Sequence, residues 1–222
     1  MDSVDRKVLF TDFDGTLTDV EFFELALERL DCTLDEDPVA EYVAGRMTLF
    51  EVQRRIFGAI GLSETQVVDL LPELRPDPHL AEDFDRLVAA GWELHVVSAG
   101  SSWYIERLFE TLEVRAPLTV HANPGRFVPG QGLVLSLPED ERVAQADIGI
   151  DKAEVIRVHA DGATCIAFSG NSHVDLTGAR LATDGYCFGR APLDGLLVDE
   201  GRSCHSINGF HDVANMLLGS DG

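Results

Sequence analysis

A short apolar segment near the N-terminus ends in two carboxylates and a glycine. Val8 to Phe10 predict a buried strand, and Gly15 predicts the turn that leaves it. Ligands of α/β sheets bind at the carboxyl ends of strands, so Asp12 and Asp14 are expected where chemistry takes place. Two acids this close repel each other unless a cation lies between them, and a hard divalent cation is the usual solution. The alternative is an Asx turn that only caps the strand.

Strand and helix patterns alternate along the rest of the chain. Gly91 is placed to end one helix, and Ser101 and Ser102 are placed to cap the next. The predicted helices cover 79–90, 105–112 and 152–159, and a hairpin is predicted over 126–137. The predicted strands cover 93–97, 118–121, 164–168 and 186–188, and the strand at 186–188 is predicted to be the last one of the sheet. This alternation predicts an α/β fold with a doubly wound, mainly parallel sheet.

Four short helix patterns lie between the first strand and the helix at 79–90. They cover 21–30, 39–45, 49–60 and 63–71. The last begins with Ser63-x-x-Gln66, which is typical of a helix N-terminus. We therefore expect a core domain formed by 1–17 and 77–222, and an inserted helical cap domain over 18–76.

Three further segments carry residues suited to phosphate or metal chemistry. Ser98 ends a strand, and the backbone N–H groups that follow it could cradle an anion. Lys152 begins a helix, where a cation opposes the helix dipole at a cost of up to about 1 kcal/mol that an anionic partner would offset. Asn171 and Asp175 follow another apolar strand. Taken singly, each also fits a plain turn or an exposed side chain.

Taken in chain order, these segments resemble the four signature motifs of the haloacid dehalogenase-like superfamily. Asp12-Phe13-Asp14-Gly15-Thr16 is similar to the first motif, Ser98 to the second, Lys152 to the third, and segment 170–175 to the fourth. The resemblance implies a Rossmann-like core and a nucleophile at Asp12 that forms an aspartyl-phosphate. It also implies that Asp14 protonates the leaving oxygen and then deprotonates water. The spacing alone does not say which acid attacks.

The resemblance also implies the groups that bind phosphate and metal. Lys152 would hold both the nucleophile and the transferring phosphoryl group. The implied phosphate-binding residues are Ser98, Ala99, Gly100 and Lys152. The implied ligands of a Mg²⁺ cofactor are Asp12, Asp14, Asn171 and Asp175.

Asn171 departs from the phosphatase pattern, which has aspartate at this position. The amide oxygen of asparagine can still coordinate Mg²⁺, but it brings no negative charge to the site. True haloacid dehalogenases carry an asparagine in this region and need no metal, but they lack the second acid of the first motif. Asp14 and the four-residue step from Asn171 to Asp175 favour the phosphatase.

The inserted segment resembles the cap of phosphoserine phosphatase-like proteins. Glu21 lies nine residues after Asp12, where those proteins bind substrate, and Arg46, Arg54 and Arg55 fall in a segment similar to their substrate-contacting one. Glu21 equally fits an acid favoured by a helix N-terminus, and a solvated helix face fits at least one of Arg54 and Arg55 better. The C-terminal half is most similar to the subgroup that contains the methionine-salvage phosphatase.

We therefore expect a Mg²⁺-dependent phosphomonoester hydrolase that acts on a small phosphorylated metabolite. Two alternatives remain at this point: a catalytically weak phosphate-binding or regulatory relative, and a metal-independent haloacid dehalogenase. No apolar run approaches the roughly 18 residues of a membrane span, and no secretory leader pattern begins the chain. A cytoplasmic location is the expectation, and the oligomeric state is left open.

The chain is strongly acidic, with 39 acidic against 17 basic residues and a net charge of −22. Such a surface is not expected to bind nucleic acid or anionic membranes. The charge indicates either adaptation to high salt, which screens the repulsion, or a genome composition that replaces lysine with arginine.

Salt dependence separates these two explanations. If the acidic surface is a salt adaptation, the midpoint of thermal unfolding should rise steeply between low salt and about 1 M KCl, where the screening length falls to about 3 Å. Thermal unfolding followed by circular dichroism across a KCl series measures this. A midpoint that does not change with salt would favour the compositional explanation.

Overall fold

A computed structural model describes residues 5–219 of the chain. The strands are β1 (Lys7–Thr11), β2 (Trp92–Ser101), β3 (Leu118–Asn123), β4 (Gly125–Val128), β5 (Gly132–Leu135), β6 (Ala144–Gln145), β7 (Gly149–Ile150), β8 (Cys165–Gly170), β9 (Cys187–Gly189) and β10 (His205–Ser206). The helices are α1 (Phe22–Arg29), α2 (Pro38–Val43), α3 (Leu49–Gly58), α4 (Glu64–Leu70), α5 (Leu80–Ala89), α6 (Ser102–Thr111), α7 (Lys152–His159), α8 (Leu176–Ala179), α9 (Leu193–Asp199) and α10 (Phe210–Gly219). Two 3₁₀ turns span Leu71–Leu74 and His173–Asp175.

Within the described residues, six strands form one central sheet in the order β10-β9-β8-β1-β2-β3, and every neighbouring pair is parallel. The predicted doubly wound α/β fold is confirmed. Because β1 has β2 on one side and β8 on the other, the chain order reverses at β1. Ligands of such sheets bind at this reversal, beyond the carboxyl ends of the strands.

Alternating side chains of β1 enter two different cores. Leu9 packs in the larger core with residues of α5, α6 and α10, whereas Val8 and Phe10 pack under α7 and α9. A strand buried on both faces reads as a continuous apolar run, which is why Val8 to Phe10 were recognisable. The residues after β1 are therefore fixed at the centre of the sheet edge.

The sheet has one more strand than the sequence predicts. The strand at Cys187–Gly189 is followed by β10, whose two residues are exposed and pair in parallel with Phe188 and Gly189. The prediction that the sheet ends at 186–188 is wrong, because a short exposed edge strand carries no apolar pattern. The predicted hairpin over 126–137 is present as the antiparallel pair β4 and β5.

Helices α1 to α4 lie between β1 and α5, as the insertion predicts. Capping boxes begin α3 at Thr48 and α4 at Ser63, and the second of these is the Ser63-x-x-Gln66 pattern that predicts a helix start. An isolated bridge joins Thr18 to Pro76 where the inserted segment leaves and rejoins the rest of the chain. The division into a core and a cap over 18–76 stays a prediction. None of the helices described is long and apolar enough to cross a membrane.

A buried carboxylate ties α5 to α10. Asp83 is fully buried and accepts a hydrogen bond from Arg86 (2.6 Å), and His211 Nδ1 lies 2.7 Å from its other oxygen. The hydrogen bond between His211 and Asp83, together with the charge of Asp83, raises the pKa of His211 above its usual value. The protonated histidine therefore stabilises the fold.

The sign of the resulting pH dependence follows from the raised pKa. The stabilisation from His211 is complete below the unfolded-state pKa of about 6.5 and is lost as the pH rises through the higher folded-state pKa. His211→Gln should therefore lower the unfolding midpoint most at about pH 6 and least at alkaline pH. Thermal unfolding of both proteins at each pH measures the difference. His205→Gln, at the exposed β10, is the control. An unfolding midpoint that His211→Gln lowers equally at all pH values would contradict the stabilising role of protonated His211.

Candidate active site

Three strand ends and one helix start bring the predicted site residues together. Asp12 directly follows β1, Ser98 lies in β2, Asn171 follows β8, and Lys152 is the first residue of α7. Parallel strands end at the same edge of the sheet, so residues far apart in the chain meet there. All four side chains line one cavity of about 310 Å³.

The Lys152 ammonium lies between two carboxylates. Its Nζ is 2.6 Å from Asp12 Oδ1 and 2.5 Å from Asp175 Oδ1, and the side chain is only 2% exposed. Burial alone would lower the pKa of Lys152, but the two carboxylates outweigh this and raise it. The lysine is therefore charged at any physiological pH.

Asp12 carries an unfavourable charge that Lys152 only partly compensates. Burial, followed by the negative charge of Asp175, raises the pKa of Asp12 well above its ordinary value, and Lys152 opposes the shift. A further positive charge in the cavity would favour the ionised, nucleophilic form.

Asp175 holds the loop after β8. Its second oxygen accepts hydrogen bonds from Asn171 N (3.0 Å), Ser172 N (2.8 Å) and Ser172 Oγ (2.9 Å). With Lys152 on the first oxygen, both oxygens of this fully buried carboxylate have donors. Asp175 therefore fixes the position of Asn171 and Lys152 together.

The Asn171 amide faces the first motif. With its nitrogen turned toward the carboxylate, it donates to Asp12 Oδ2 (3.1 Å) and to the backbone oxygen of Asp14 (3.2 Å). Gly15 makes room for this amide: it has φ of +73°, and an added Cβ would lie 2.1 Å from the nearer atom of the Asn171 amide group. The glycine is required both by its backbone conformation and by this close approach.

Asp14 joins the sheet edge to the inserted helices. Its carboxylate accepts hydrogen bonds from Tyr104 Oη (2.5 Å) and from the backbone N–H of Phe22, the first residue of α1 (2.8 Å). Burial raises the pKa of Asp14 despite these two donors. A carboxyl group with a raised pKa keeps a proton more readily, as a general acid requires.

The last residues of β2 pack closely against Asp14 and Tyr104. Ser98 Oγ accepts a hydrogen bond from Gly100 N (3.0 Å), which fixes the backbone of Ala99 between them. A Cβ on Gly100 would lie 1.7 Å from Tyr104 Oη. Ser98, Ala99 and Gly100 all line the cavity beside Asp12 and Asp14.

The inserted helices supply a mostly apolar wall. The apolar and aromatic side chains of this wall are Phe23, Val39, Tyr42, Val43, Leu49, Val52 and Phe57. Glu21 lies at the same cavity, and burial followed by the charge of Asp14 raises the pKa of Glu21 to about 7. Gln53 is buried on this wall, and its Oε1 has no hydrogen-bond partner among the residues described.

The three arginines expected to contact substrate lie elsewhere. Arg46 pairs with Glu41, Arg55 pairs with Glu36, and Arg54 stacks over Phe50. All three are exposed and line a separate surface depression rather than the cavity that holds Asp12. The structure therefore groups Glu21 with the sheet-edge residues but does not group the arginines with them.

Tyr104, Phe22 and Gln53 have no signature in the sequence. Tyr104 stacks on Phe22 with ring centroids 4.0 Å apart, and 90 residues separate it from Asp14. The only available signal was its position in the first turn of the helix after the second motif. Contacts between residues this far apart in the sequence are set by the tertiary packing and leave no local sequence pattern.

This architecture defines a class: an α/β protein with a buried carboxylate–lysine site at the reversal point of its sheet and a helical insertion over that site. The sequence model of the haloacid dehalogenase-like hydrolase family matches residues 9–180. The chain belongs to this family.

Named relatives and solved structures agree with this assignment. The chain is 24% identical over 216 residues to a 2-hydroxy-3-keto-5-methylthiopentenyl-1-phosphate phosphatase of Brevibacillus brevis, covering 96% of this chain and 95% of the relative. It superimposes on a substrate-bound phosphoserine phosphatase with a TM-score of 0.66 at 16% identity, covering 95% of this chain and 98% of that one. A phospho-aspartyl intermediate analogue of phosphoserine phosphatase gives 0.67 at 16% identity, covering 96% and 99%. These similarities favour a phosphatase of the phosphoserine phosphatase-like subgroup.

Tyr104→Phe tests the contact with Asp14. The substitution removes one donor from the Asp14 carboxylate but keeps the ring stacked on Phe22, so kcat against a phosphomonoester should fall about 10-fold or more while the fold is retained. The acidic limb of the pH profile should also move upward, since the hydrogen bond favours ionised Asp14. Tyr186→Phe, at a half-buried tyrosine beside Trp92, is the matched control. An unchanged kcat and pH profile would show that the hydrogen bond from Tyr104 to Asp14 has no role in catalysis.

Proposed function

We propose that the protein is a Mg²⁺-dependent phosphomonoester hydrolase that acts on a small phosphorylated metabolite through an aspartyl-phosphate on Asp12. One observation carries the proposal: Asp12 and Asp14 line the same cavity, with Lys152 2.6 Å from the Asp12 carboxylate. A nucleophile, an acid–base group and a phosphate-binding cation are thereby within reach of one substrate.

The residues support a two-step reaction. A carboxylate oxygen of Asp12 attacks phosphorus, the bond to the substrate oxygen breaks, and Asp14 gives that oxygen its proton. Asp14 then accepts a proton from a water molecule, whose oxygen attacks phosphorus and releases Asp12 and inorganic phosphate. Lys152 and the backbone N–H groups after Ser98 would balance the phosphoryl charge throughout.

The oxygen atoms around Asn171 fit a hard divalent cation. Asp12 Oδ2 and the backbone oxygen of Asp14 both lie within about 3.2 Å of the Asn171 amide, and a turned amide would present its own oxygen to the same point. When bound, Mg²⁺ would neutralise charge on Asp12 and on the phosphoryl oxygens. Asp175 as a metal ligand stays a prediction, and its contacts to Lys152 and Ser172 favour a positioning role.

The cavity wall supports a substrate with an apolar organic group. Lys152 is the one basic residue among those that line the cavity, and its charge is engaged by two carboxylates. A second anionic group on the substrate would have no cationic partner there. The relative from Brevibacillus brevis acts on a compound whose name contains a methylthiopentenyl chain, and a chain of that kind would fit the wall of Phe23, Val43 and Leu49.

Asp12→Asn tests the nucleophile. The change is nearly isosteric and removes the attacking charge, so turnover should fall to background while the protein stays folded. The measurement is hydrolysis of para-nitrophenyl phosphate with Mg²⁺, together with the unfolding midpoint. Asp69→Asn, at an exposed position of α4, is the matched control. Residual activity comparable to that of the wild type would overturn the assignment.

Asn171→Asp tests the cation site. A carboxylate is a stronger ligand for a hard cation than an amide oxygen, so the Mg²⁺ concentration for half-maximal activity should fall. Mg²⁺ titrations at fixed salt and pH compare the two proteins. Asn215→Asp adds the same charge on the exposed face of α10 and should leave the titration unchanged.

The same titration separates the alternatives. A metal-independent dehalogenase or a non-catalytic phosphate-binding protein would show no Mg²⁺-dependent hydrolysis. Wild-type activity that is indifferent to Mg²⁺ and to chelator would defeat the metal-dependent proposal.

A further inference from the structure

Three histidines converge at the end of α7 opposite Lys152. His95 belongs to β2, His121 to β3, and His159 is the last residue of α7. Each offers a ring nitrogen, and these nitrogen atoms all lie within 4.8 Å of one another. Seven residues of helix separate His159 from Lys152, a rise of about 10 Å, so the cluster is distinct from the catalytic cavity.

The His95 ring is held by a carboxylate on the side away from the cluster. Its Nε2 lies 2.9 Å from Glu93 Oε1, and its Nδ1 lies 2.8 Å from His121 Nε2. Arg6 fixes Glu93 in turn through two hydrogen bonds of 3.0 Å. A carboxylate acceptor keeps the proton on Nε2 and leaves a lone pair on Nδ1, as in metal-binding histidines backed by a carboxylate.

The surroundings favour the neutral form of His95 and His121, which is the form that binds metal. Burial lowers the pKa of His95, and burial followed by the charge of His159 lowers the pKa of His121 to about 3. The carboxyl end of a helix, where His159 lies, attracts positive charge. His121 and His159 are half-buried, so an ion can reach the cluster from solvent.

We propose that His95 Nδ1, His121 Nε2 and the imidazole of His159 form a site for a Zn²⁺-like transition-metal cation, with water as the fourth ligand. Imidazole ligands select Zn²⁺, Ni²⁺ or Cu²⁺ over Mg²⁺, which prefers oxygen. Tetrahedral coordination at about 2.0–2.1 Å separates ligand nitrogens by roughly 3.3 Å, so small ring movements close the site. The cation takes the place of the proton between His95 and His121, and His121 then carries its one proton on Nδ1, so that both rings bind as neutral imidazoles.

Such an ion would join three elements of the fold. His95 and His121 lie on neighbouring strands, and His159 lies on the helix that covers them. A cation held by all three would stabilise the native state against unfolding, since the unfolded chain does not preserve the site. Zn²⁺ should therefore raise the unfolding midpoint as well as bind.

The experiment is a Zn²⁺ titration of tag-free protein by calorimetry, in a large excess of Mg²⁺ that competes for the catalytic oxygens. We expect one Zn²⁺ per chain in the wild type and a higher unfolding midpoint. His121→Gln and His159→Gln should abolish this binding and the thermal shift but keep Mg²⁺-dependent hydrolysis. Glu93→Gln should weaken the affinity about 10- to 100-fold, as loss of a supporting carboxylate does.

Two controls decide which site holds the ion. His205→Gln removes an exposed histidine outside the cluster and should leave Zn²⁺ binding unchanged. Asp12→Asn disrupts the catalytic site and should also leave it unchanged. Co²⁺ should give the visible absorption of a tetrahedral complex in the wild type and not in His121→Gln. The absence of Zn²⁺ binding in the wild type, or binding that survives His121→Gln and disappears in Asp12→Asn, would overturn the proposal.

Discussion

The ammonium of Lys152 between Asp12 and Asp175 is the contact on which the rest of the site depends. It joins the end of β1, the start of α7 and the loop after β8 at one buried point. Removing the lysine from such a group leaves buried carboxylates without a cation, which typically costs about 3–5 kcal/mol. The cluster is therefore a tertiary tie as well as a chemical group. The parallel sheet matters because it places these three chain positions at the same edge.

Asp14 makes the inserted helices part of the chemistry. Its two donors come from two different helices, Tyr104 on α6 and the backbone of Phe22 on α1. The same two residues stack on each other, so the position of α1 and the environment of the Asp14 carboxylate are not independent. A displacement of α1 would remove a donor and raise the proton affinity of Asp14 further. In the proposed mechanism, substrate enclosure by the inserted helices and proton transfer are linked through this one side chain.

Local patterns predicted the parts of this molecule that depend on local physics. The strand before Asp12, the capping box at Ser63 and the bounds of α7 follow from apolar runs and helix-cap chemistry. The edge strand at His205 was missed because two exposed polar residues carry no pattern. The sequence gives no sign of the histidine cluster, because His95 and His121 lie 26 residues apart and His121 and His159 lie 38 residues apart, which is not a spacing typical of a metal site. Only the register of β2 and β3 and the position of the end of α7 bring the three rings together. Likewise, the resemblance of its segment to a substrate-contacting cap placed Arg54 near substrate, whereas the structure stacks it over Phe50 outside the cavity lining, and its contact with substrate stays a prediction.

The choice of lysine at position 152 is itself informative in this chain. Lys7 and Lys152 are the only lysines, so 15 of the 17 basic residues are arginine. The exposed ion pairs Arg46–Glu41 and Arg55–Glu36 also use arginine. The preference for arginine in the rest of the chain does not extend to position 152. A guanidinium is planar and wide, and it would separate two carboxylates that approach one nitrogen at 2.5 and 2.6 Å. A compact ammonium with three donors can bond both carboxylates and keep a third direction for a phosphoryl oxygen. Geometry, rather than charge alone, therefore requires lysine at the start of α7.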